Sequence, residues 1–151
     1  MSQHTHALRT GRFSETGHTY LVTTVTHQRS RTFDDFRLAR CVIDQMRKTD
    51  ATGSCQTLGY VLMPDHLHWL MQLYAVDLSR LVGRFKASAA AAINRHLGTP
   101  GEARWQRGFH DHAVRKDEDL VNLARYVVAN PLRAGIASRI GDYPHWDAIW
   151  L

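Results

Sequence analysis

Two histidines separated by a single residue are the first groups in this sequence that could do chemistry. His66 and His68 lie in a segment whose residue pattern predicts a β-strand. Alternate side chains of a strand point to the same face, about 7 Å apart along the chain, so both imidazoles could bind one metal ion. In a chain with ten histidines, such a pair is also typical of a solvated sheet face. A third ligand is therefore needed before the pair indicates a metal site.

A predicted helix near the C-terminus supplies further polar groups. Its apolar residues repeat at helical spacing, and Tyr126 and Asn130 lie at the edge of that apolar stripe, one turn apart. Both also have simpler explanations. A tyrosine at such an edge is typical of a packing residue with its hydroxyl in water, and an asparagine before Pro131 is typical of a helix end.

The elements that must position these groups follow from the hydrophobic pattern, which predicts the order strand, helix, strand, strand, helix, strand, helix. The predicted strands cover residues 19–27, 57–63, 66–73 and 105–115. The predicted helices run from an N-cap at Asp34 or Asp35 to about Thr49, from Leu78 to Leu97, and from the acidic residues 117–119 to Asn130. The Pro-Asp pair at 64–65 suits a tight turn between the second and third strands.

This order matches the split βαβ, ferredoxin-like pattern. We expect an α+β domain with an antiparallel sheet, helices on one face, and an added C-terminal helix that carries Tyr126. Residues 1–151 should form one domain, with its core at about residues 11–146, a flexible N-terminal segment and a C-terminal tail. The tail residues 143–146 and Trp150 could pack on the core or lie near the site.

Composition limits the classes of function. The net charge of +5 and the pI near 9.6 favour a polyanionic partner such as nucleic acid. Cys41 and Cys55 lack the close spacing of metal knuckles or redox motifs, so we expect reduced, buried thiols. The sequence shows neither a long apolar run nor a signal-peptide pattern, which predicts a cytoplasmic protein with no membrane partner.

Three blocks of the sequence form an ordered pattern: residues 60–68 (YVLMPDHLH), 105–112 (WQRGFHDH) and 124–135 (ARYVVANPLRAG). These blocks closely resemble the REP-associated tyrosine transposases, which belong to the single-tyrosine HUH transposases and are related to the insertion-sequence single-strand transposases. The opening residues 17–26 (GHTYLVTTVT) are also similar, so the resemblance runs from about Gly11 to about Trp146. Ordered blocks at compatible spacings are far more specific than the histidine pair alone.

The resemblance implies roles for particular residues. His66 and His68 would be metal ligands, Tyr126 the nucleophile, and Asn130 the third ligand, where the related insertion-sequence branch commonly has glutamine. The second histidine pair, His110 and His112, is a rival for the metal, but the resemblance places ligands only at the first pair. We therefore interpret the second pair as surface or DNA-facing residues.

The implied activity is metal-dependent nicking and strand transfer on single-stranded DNA, at short palindromic repeats that fold as hairpins. A 5′-phosphotyrosine intermediate would conserve the ester energy, and the sequence has no P-loop pattern that would indicate a need for ATP. Imidazole and amide ligands with open positions suit Mg²⁺ or Mn²⁺. Candidate phosphate contacts are Arg80, Arg84, Lys86, Arg104, Arg107, Arg115, Lys116, Arg125 and Arg133.

Two other functions fit the same residues. A domesticated hairpin-DNA binding protein would keep the fold with little or no turnover. A metal-dependent phosphoesterase would use water and would stay active as Tyr126→Phe. The sequence leaves the oligomeric state open between a monomer and a homodimer.

Overall fold

The computed structural model describes residues 18–74, 76–115 and 119–149. The strands are β1 (Thr19–Val25), β2 (Cys55–Met63), β3 (His66–Leu73), β4 (His110–Ala113) and β5 (Trp146–Ala148). The helices are α1 (Phe36–Ala51), α2 (Leu78–Leu97), α3 (Leu120–Val128) and the single turn α4 (Asn130–Arg133). The predictions for the flexible N-terminal segment, for residues 116–118, including Lys116, and for Trp150 lie outside the described residues.

The strands form one antiparallel sheet in the order β4-β1-β3-β2-β5. The first four strands and the two long helices reproduce the ferredoxin-like order, which confirms the predicted fold class. A tight hairpin joins β2 to β3 because Met63 pairs directly with His66, leaving only Pro64 and Asp65 in the turn. This hairpin places the first histidine pair at the start of a central strand.

Helices cover both faces of the sheet. The helices α1 and α2 share one apolar core with Val22, Leu67 and Trp69 of the central strands. The helix α3 lies on the opposite face, where its Ala124 and Val128 join a second cluster. The added helix that was predicted to carry Tyr126 is α3. It packs on the face of the sheet opposite to α1 and α2.

Helix ends agree with the capping residues in the sequence. The side chain of Asp35 accepts hydrogen bonds from the backbone at the start of α1, and Asp119 does the same for α3. The bounds predicted for α2 are confirmed, and Gly98 ends that helix at a φ of 68°, which glycine adopts without strain. The helix predicted to end at Asn130 ends at Val128, and Pro131 lies in the first turn of α4.

The strand predicted at residues 105–115 is much shorter in the structure. Only His110–Ala113 pairs as a strand, and Trp105 makes one isolated bridge to Thr26. The intervening chain turns away at Gly108, whose φ of 75° is not that of a strand. The bulky residues of this segment therefore lie partly in a loop. A hydrophobic pattern alone does not distinguish such a loop from a strand. The first strand also ends at Val25, earlier than the predicted position 27.

The sequence pattern missed β5, a strand of three residues beside β2. The tail packs on the sheet. The Tyr143 hydroxyl donates to the carbonyl of Leu62, and a Cβ at Gly59 would lie only 3.4 Å from Cβ of Ala148. Glycine at position 59 thus allows the close approach of the tail.

The two thiols are free. Cys55 is buried as predicted, and burial together with the nearby Asp50 carboxylate raises its pKa. Cys41 is only half-buried, so the prediction of burial was wrong for this residue. Among the described residues, no helix is long and apolar enough to cross a membrane.

Candidate active site

His66 and His68 lie on the face of the sheet that α3 covers. Thr23 of β1 and Val61 of β2 both pair with His68, and residues paired directly across antiparallel strands share a face. Val61 belongs to the apolar cluster that Val127 of α3 completes. The two imidazole rings lie edge to face, with centroids 4.8 Å apart. The fold therefore brings the two rings together beside α3.

Each imidazole is oriented by one hydrogen bond. Nδ1 of His66 lies 2.7 Å from the Asp65 carboxylate, and since a carboxylate only accepts, this nitrogen carries the proton. Nδ1 of His68 lies 2.8 Å from the hydroxyl of Thr23. With Nδ1 engaged in this way, Nε2 of each ring is the nitrogen that could bind a ligand. The residues that hold the two Nδ1 atoms, Asp65 and Thr23, are functional candidates that the sequence analysis missed.

The electrostatics favour a neutral imidazole and an ionised carboxylate. Burial, with smaller effects from the charges of His66 and Arg133, lowers the pKa of His68 to about 4. Burial is the largest single effect and acts to raise the pKa of Asp65, but the hydrogen bonds and the charges of His66 and Arg29 together outweigh it, and the pKa is lowered. His68 is thus neutral at pH 7, which is the form that binds metals.

Tyr126 and Asn130 flank the junction between α3 and α4. Tyr126 is 61% exposed, so a macromolecular substrate could reach this residue. The side-chain amide of Asn130 donates to the carbonyl of Val127, which fixes the orientation of the amide group and leaves its oxygen as the possible ligand. Across the described part of the chain, no group of three His, Cys, Asp or Glu side chains could hold a metal.

The model of the family described as "Transposase IS200 like" matches residues 14–130, which is most of the chain. The chain belongs to the IS200-like transposase family. Transposases process DNA, so membership gives this protein the class of a DNA-processing enzyme.

Individual relatives agree with the family. A protein of Haemophilus influenzae, named as a REP-associated tyrosine transposase, is 27% identical, and the match covers 85% of this chain and 78% of that protein. The solved structure of a REP-associated tyrosine transposase bound to a REP hairpin matches with a TM-score of 0.68 at 21% identity, over 97% of this chain and 82% of the other. The structural match supports the fold. The resemblance predicted from the sequence blocks is confirmed.

The second histidine pair of this transposase-family chain lies on edge strand β4. His110 pairs with Thr23, so it shares the face and the cross-strand row of His68 and lies two strands away from it. Its Nδ1 is buried without a hydrogen-bond partner among the described residues, and His112 is exposed. The interpretation of this pair as DNA-facing stays a prediction.

The predicted phosphate contacts differ in how they are held. Lys86 donates to the carbonyls of Gln106 and Gly108, at 2.7 and 2.6 Å, and burial lowers its pKa to about 8. Arg104 donates to the side chains of Asn94 and Thr99. Lys86 and Arg104 thus link the segment around Trp105 to α2 through hydrogen bonds. Others are exposed and stay predicted DNA contacts: Arg80, Arg84, Arg107, Arg115, Arg125 and Arg133.

Proposed function

We propose that this chain is a metal-dependent enzyme that nicks and rejoins single-stranded DNA at hairpin sequences through a covalent 5′-phosphotyrosine on Tyr126. One observation carries the proposal. Two imidazoles, each oriented through Nδ1, lie together on the sheet face against which the helix of an exposed tyrosine packs. The family adds the class of reaction, and the two relatives add the substrate, because both are named for REP transposition and one is bound to a REP hairpin.

The donor set fits a divalent metal. His66 and His68 would hold it through Nε2, and Asn130 through its amide oxygen. Two neutral imidazoles and one amide oxygen leave positions for phosphate and water, which suits Mg²⁺ or Mn²⁺ better than a closed structural zinc site. When bound, the metal would make the phosphorus more electrophilic and offset the charge on the leaving oxygen.

Tyr126 supplies the nucleophile. Its hydroxyl oxygen forms a bond to the phosphorus of the scissile phosphate and gives its proton to solvent. The bond from phosphorus to the 3′ oxygen breaks, and that oxygen leaves with the electron pair and takes a proton to become a free 3′-hydroxyl. Attack by another 3′-hydroxyl on the phosphotyrosine reverses these changes and joins a new end, so no high-energy cofactor is consumed.

The exposed arginines would bind the backbone of the DNA hairpin. Arginine suits this role because its planar group can donate two parallel hydrogen bonds to one phosphate. Arg80 and Arg84 lie one turn apart on the exposed side of α2, and Arg125 precedes the proposed nucleophile on α3. We expect hairpin binding to weaken steeply with salt as these contacts release counterions.

Labelled oligonucleotides test the proposal. Single-stranded hairpins with a label at the 5′ or the 3′ end are incubated with the protein and Mn²⁺ or Mg²⁺, and the products are separated on a denaturing gel. We expect a metal-dependent adduct that resists denaturation and carries the fragment 3′ to the cut. Tyr126→Phe and the double variant His66→Ala with His68→Ala should lack it, whereas the controls Tyr74→Phe and His96→Ala should keep it.

Two outcomes would contradict the proposal. Cleavage by Tyr126→Phe at the wild-type rate would mean that water is the nucleophile. Binding of several hairpins without cleavage or adduct would mean that the chain is a DNA-binding protein without turnover.

A further inference from the structure

Tyr126 has an arginine stacked on its ring. The central carbon of the Arg133 guanidinium lies 3.7 Å from the centroid of the Tyr126 ring. The same guanidinium donates a hydrogen bond of 2.7 Å to the backbone carbonyl of Tyr126. Two contacts of different kinds therefore join one side chain of α4 to one residue of α3.

Packing alone leaves Tyr126 poorly fixed. Its side chain is 61% exposed, whereas Ala124, Val127 and Val128 of the same helix are buried. A ring with so few neighbours is free to change rotamer, and an attacking atom displaced by about 1 Å can lower a rate by about 100-fold. A nucleophile at this position needs a partner that limits its motion.

Arginine is suited to that task. A planar guanidinium can stack on an aromatic face while its N–H groups donate in the same plane. The junction after α3 sets the approach of Arg133. Ala129 leaves the helix with a ψ of 0°, Asn130 bonds back to Val127, and Pro131 is buried at the start of α4. The base of the arginine is therefore anchored even though the side chain is exposed.

We propose that Arg133 is a positioning residue for Tyr126, holding the phenol ring by its face and donating to the phosphate that the phenol attacks. This inference rests on the proposed function and deepens it. One N–H of the guanidinium is used by the carbonyl of Tyr126, and four further donors can serve a phosphate oxygen. Arg133 neither gains nor loses a proton, and the bond changes at phosphorus stay those given above.

Two measurements test the inference. In protein labelled with 3-fluorotyrosine, the ¹⁹F resonance of Tyr126 is assigned by its loss in Tyr126→Phe and reports on the ring without DNA. Single-turnover formation of the adduct, with protein in excess over a hairpin that the wild type cleaves, reports on the attack. Hairpin affinity is measured alongside by anisotropy, so that binding and chemistry are separated.

The variants separate stacking from charge. Arg133→Met removes the charge and all hydrogen-bond donors, whereas Arg133→Lys keeps the charge but lacks the planar guanidinium group that stacks on the ring. Arg139→Gln is the control, because Arg139 is 80% exposed on the same segment and pairs only loosely with Asp142, at 3.8 Å. Thermal unfolding of each variant shows that the fold is retained.

We expect Arg133→Met to shift the Tyr126 resonance, to slow adduct formation by about 30- to 100-fold, and to weaken hairpin binding by less than about threefold. Arg133→Lys should fall between this variant and the wild type, and Arg139→Gln should match the wild type. An unmoved resonance, an adduct rate within about threefold of wild type, or a rate loss equal to that of Arg139→Gln would overturn the inference. If the wild type forms no adduct, the proposed function fails, and the inference fails with it.

Discussion

The sheet face under α1 and α2 is filled by apolar side chains, whereas the face under α3 also carries His66, His68 and Thr23. Apolar burial is not directional, so the first face stabilises the fold through the area it removes from water. On the second face, the imidazoles are held by specific hydrogen bonds, one across strands between Thr23 and His68 and one between the neighbouring residues Asp65 and His66. Stability should therefore depend mainly on the first face and chemistry mainly on the second.

The largest effect on stability is expected at the centre of the apolar face. Trp69 is fully buried, packs against Phe85 with ring centroids 4.8 Å apart, and donates to the hydroxyl of Thr57. We expect Trp69→Ala to lower the free energy of unfolding by about 3–5 kcal/mol. Tyr126→Phe on the other face should change it by less than about 0.5 kcal/mol. Urea unfolding measures both, and similar losses in the two variants would contradict the division between the faces.

Two neighbouring threonines of β1 point to opposite faces of the sheet. Thr23 orients His68, and Thr24 is fully buried with no hydrogen-bond partner for its hydroxyl among the described residues. We expect Thr23→Val to weaken Mn²⁺ binding by about 10- to 100-fold, as is typical when a metal ligand loses its hydrogen-bond partner. Thr24→Val should leave Mn²⁺ binding unchanged and raise stability by about 1 kcal/mol.

Calorimetric titration of Mn²⁺ checks the threonine pair, with unfolding followed separately. Equal Mn²⁺ affinities in Thr23→Val and the wild type would mean that the hydroxyl does not orient His68. A stability loss in Thr24→Val would mean that its hydroxyl has a partner.

Two basic residues one half-turn apart on α2 separate structural charge from DNA-binding charge. Lys86 bonds to two loop carbonyls, whereas Arg84 is exposed. We expect Lys86→Met to lower stability by about 1–3 kcal/mol because both carbonyls lose a donor. Arg84→Gln should leave stability within about 0.5 kcal/mol and reduce the salt dependence of hairpin binding by about one counterion. If Lys86→Met instead reduced the salt dependence without a loss of stability, Lys86 would be the phosphate contact.

The smallest effect concerns the tail that covers the edge of the sheet. Burial, with the nearby Asp34 carboxylate, raises the pKa of Tyr143 to about 12, and its hydroxyl donates to the carbonyl of Leu62. We expect Tyr143→Phe to be about 1 kcal/mol less stable at pH 7.

The pH dependence of that difference has a definite sign. A folded-state pKa of about 12 lies above the ordinary phenol value near 10, so the contribution of Tyr143 is complete below pH 10 and is lost as pH rises through 12. The difference in the free energy of unfolding between Tyr143→Phe and the wild type, measured by chemical unfolding, should therefore disappear over this range. A difference in unfolding free energy that stays constant from pH 9 to pH 12 would contradict a buried Tyr143 hydroxyl that is hydrogen-bonded to Leu62.

How far the sequence predicts this fold depends on whether the signal for an element is local. The helix at residues 78–97 and the hairpin around Pro64 followed from periodicity and turn residues, because those signals are local. The strand β5 was missed, since three residues are too short for a period and its pairing with β2 joins distant parts of the chain.

The site shows the same limit. The histidine pair and Tyr126 were predicted as candidates from their residue types, from their spacing and from the family blocks. Their partners Thr23 and Arg133 depend on strand register and on the α3–α4 junction. Thr23 is distant from His68 in the sequence, whereas Arg133 is close to Tyr126 but reaches it only because the chain breaks between α3 and α4, so both contacts required the structure.

The proposed nucleophile is tested by finding the atom that carries the DNA. The adduct formed from a hairpin and Mn²⁺ is trimmed with nuclease and digested with protease, and the peptides are sequenced by mass spectrometry. The proposed function predicts a nucleotide linked through its 5′ phosphate to Tyr126, and no modified peptide from Tyr126→Phe. A nucleotide on another residue, or cleaved DNA without any modified peptide, would contradict it.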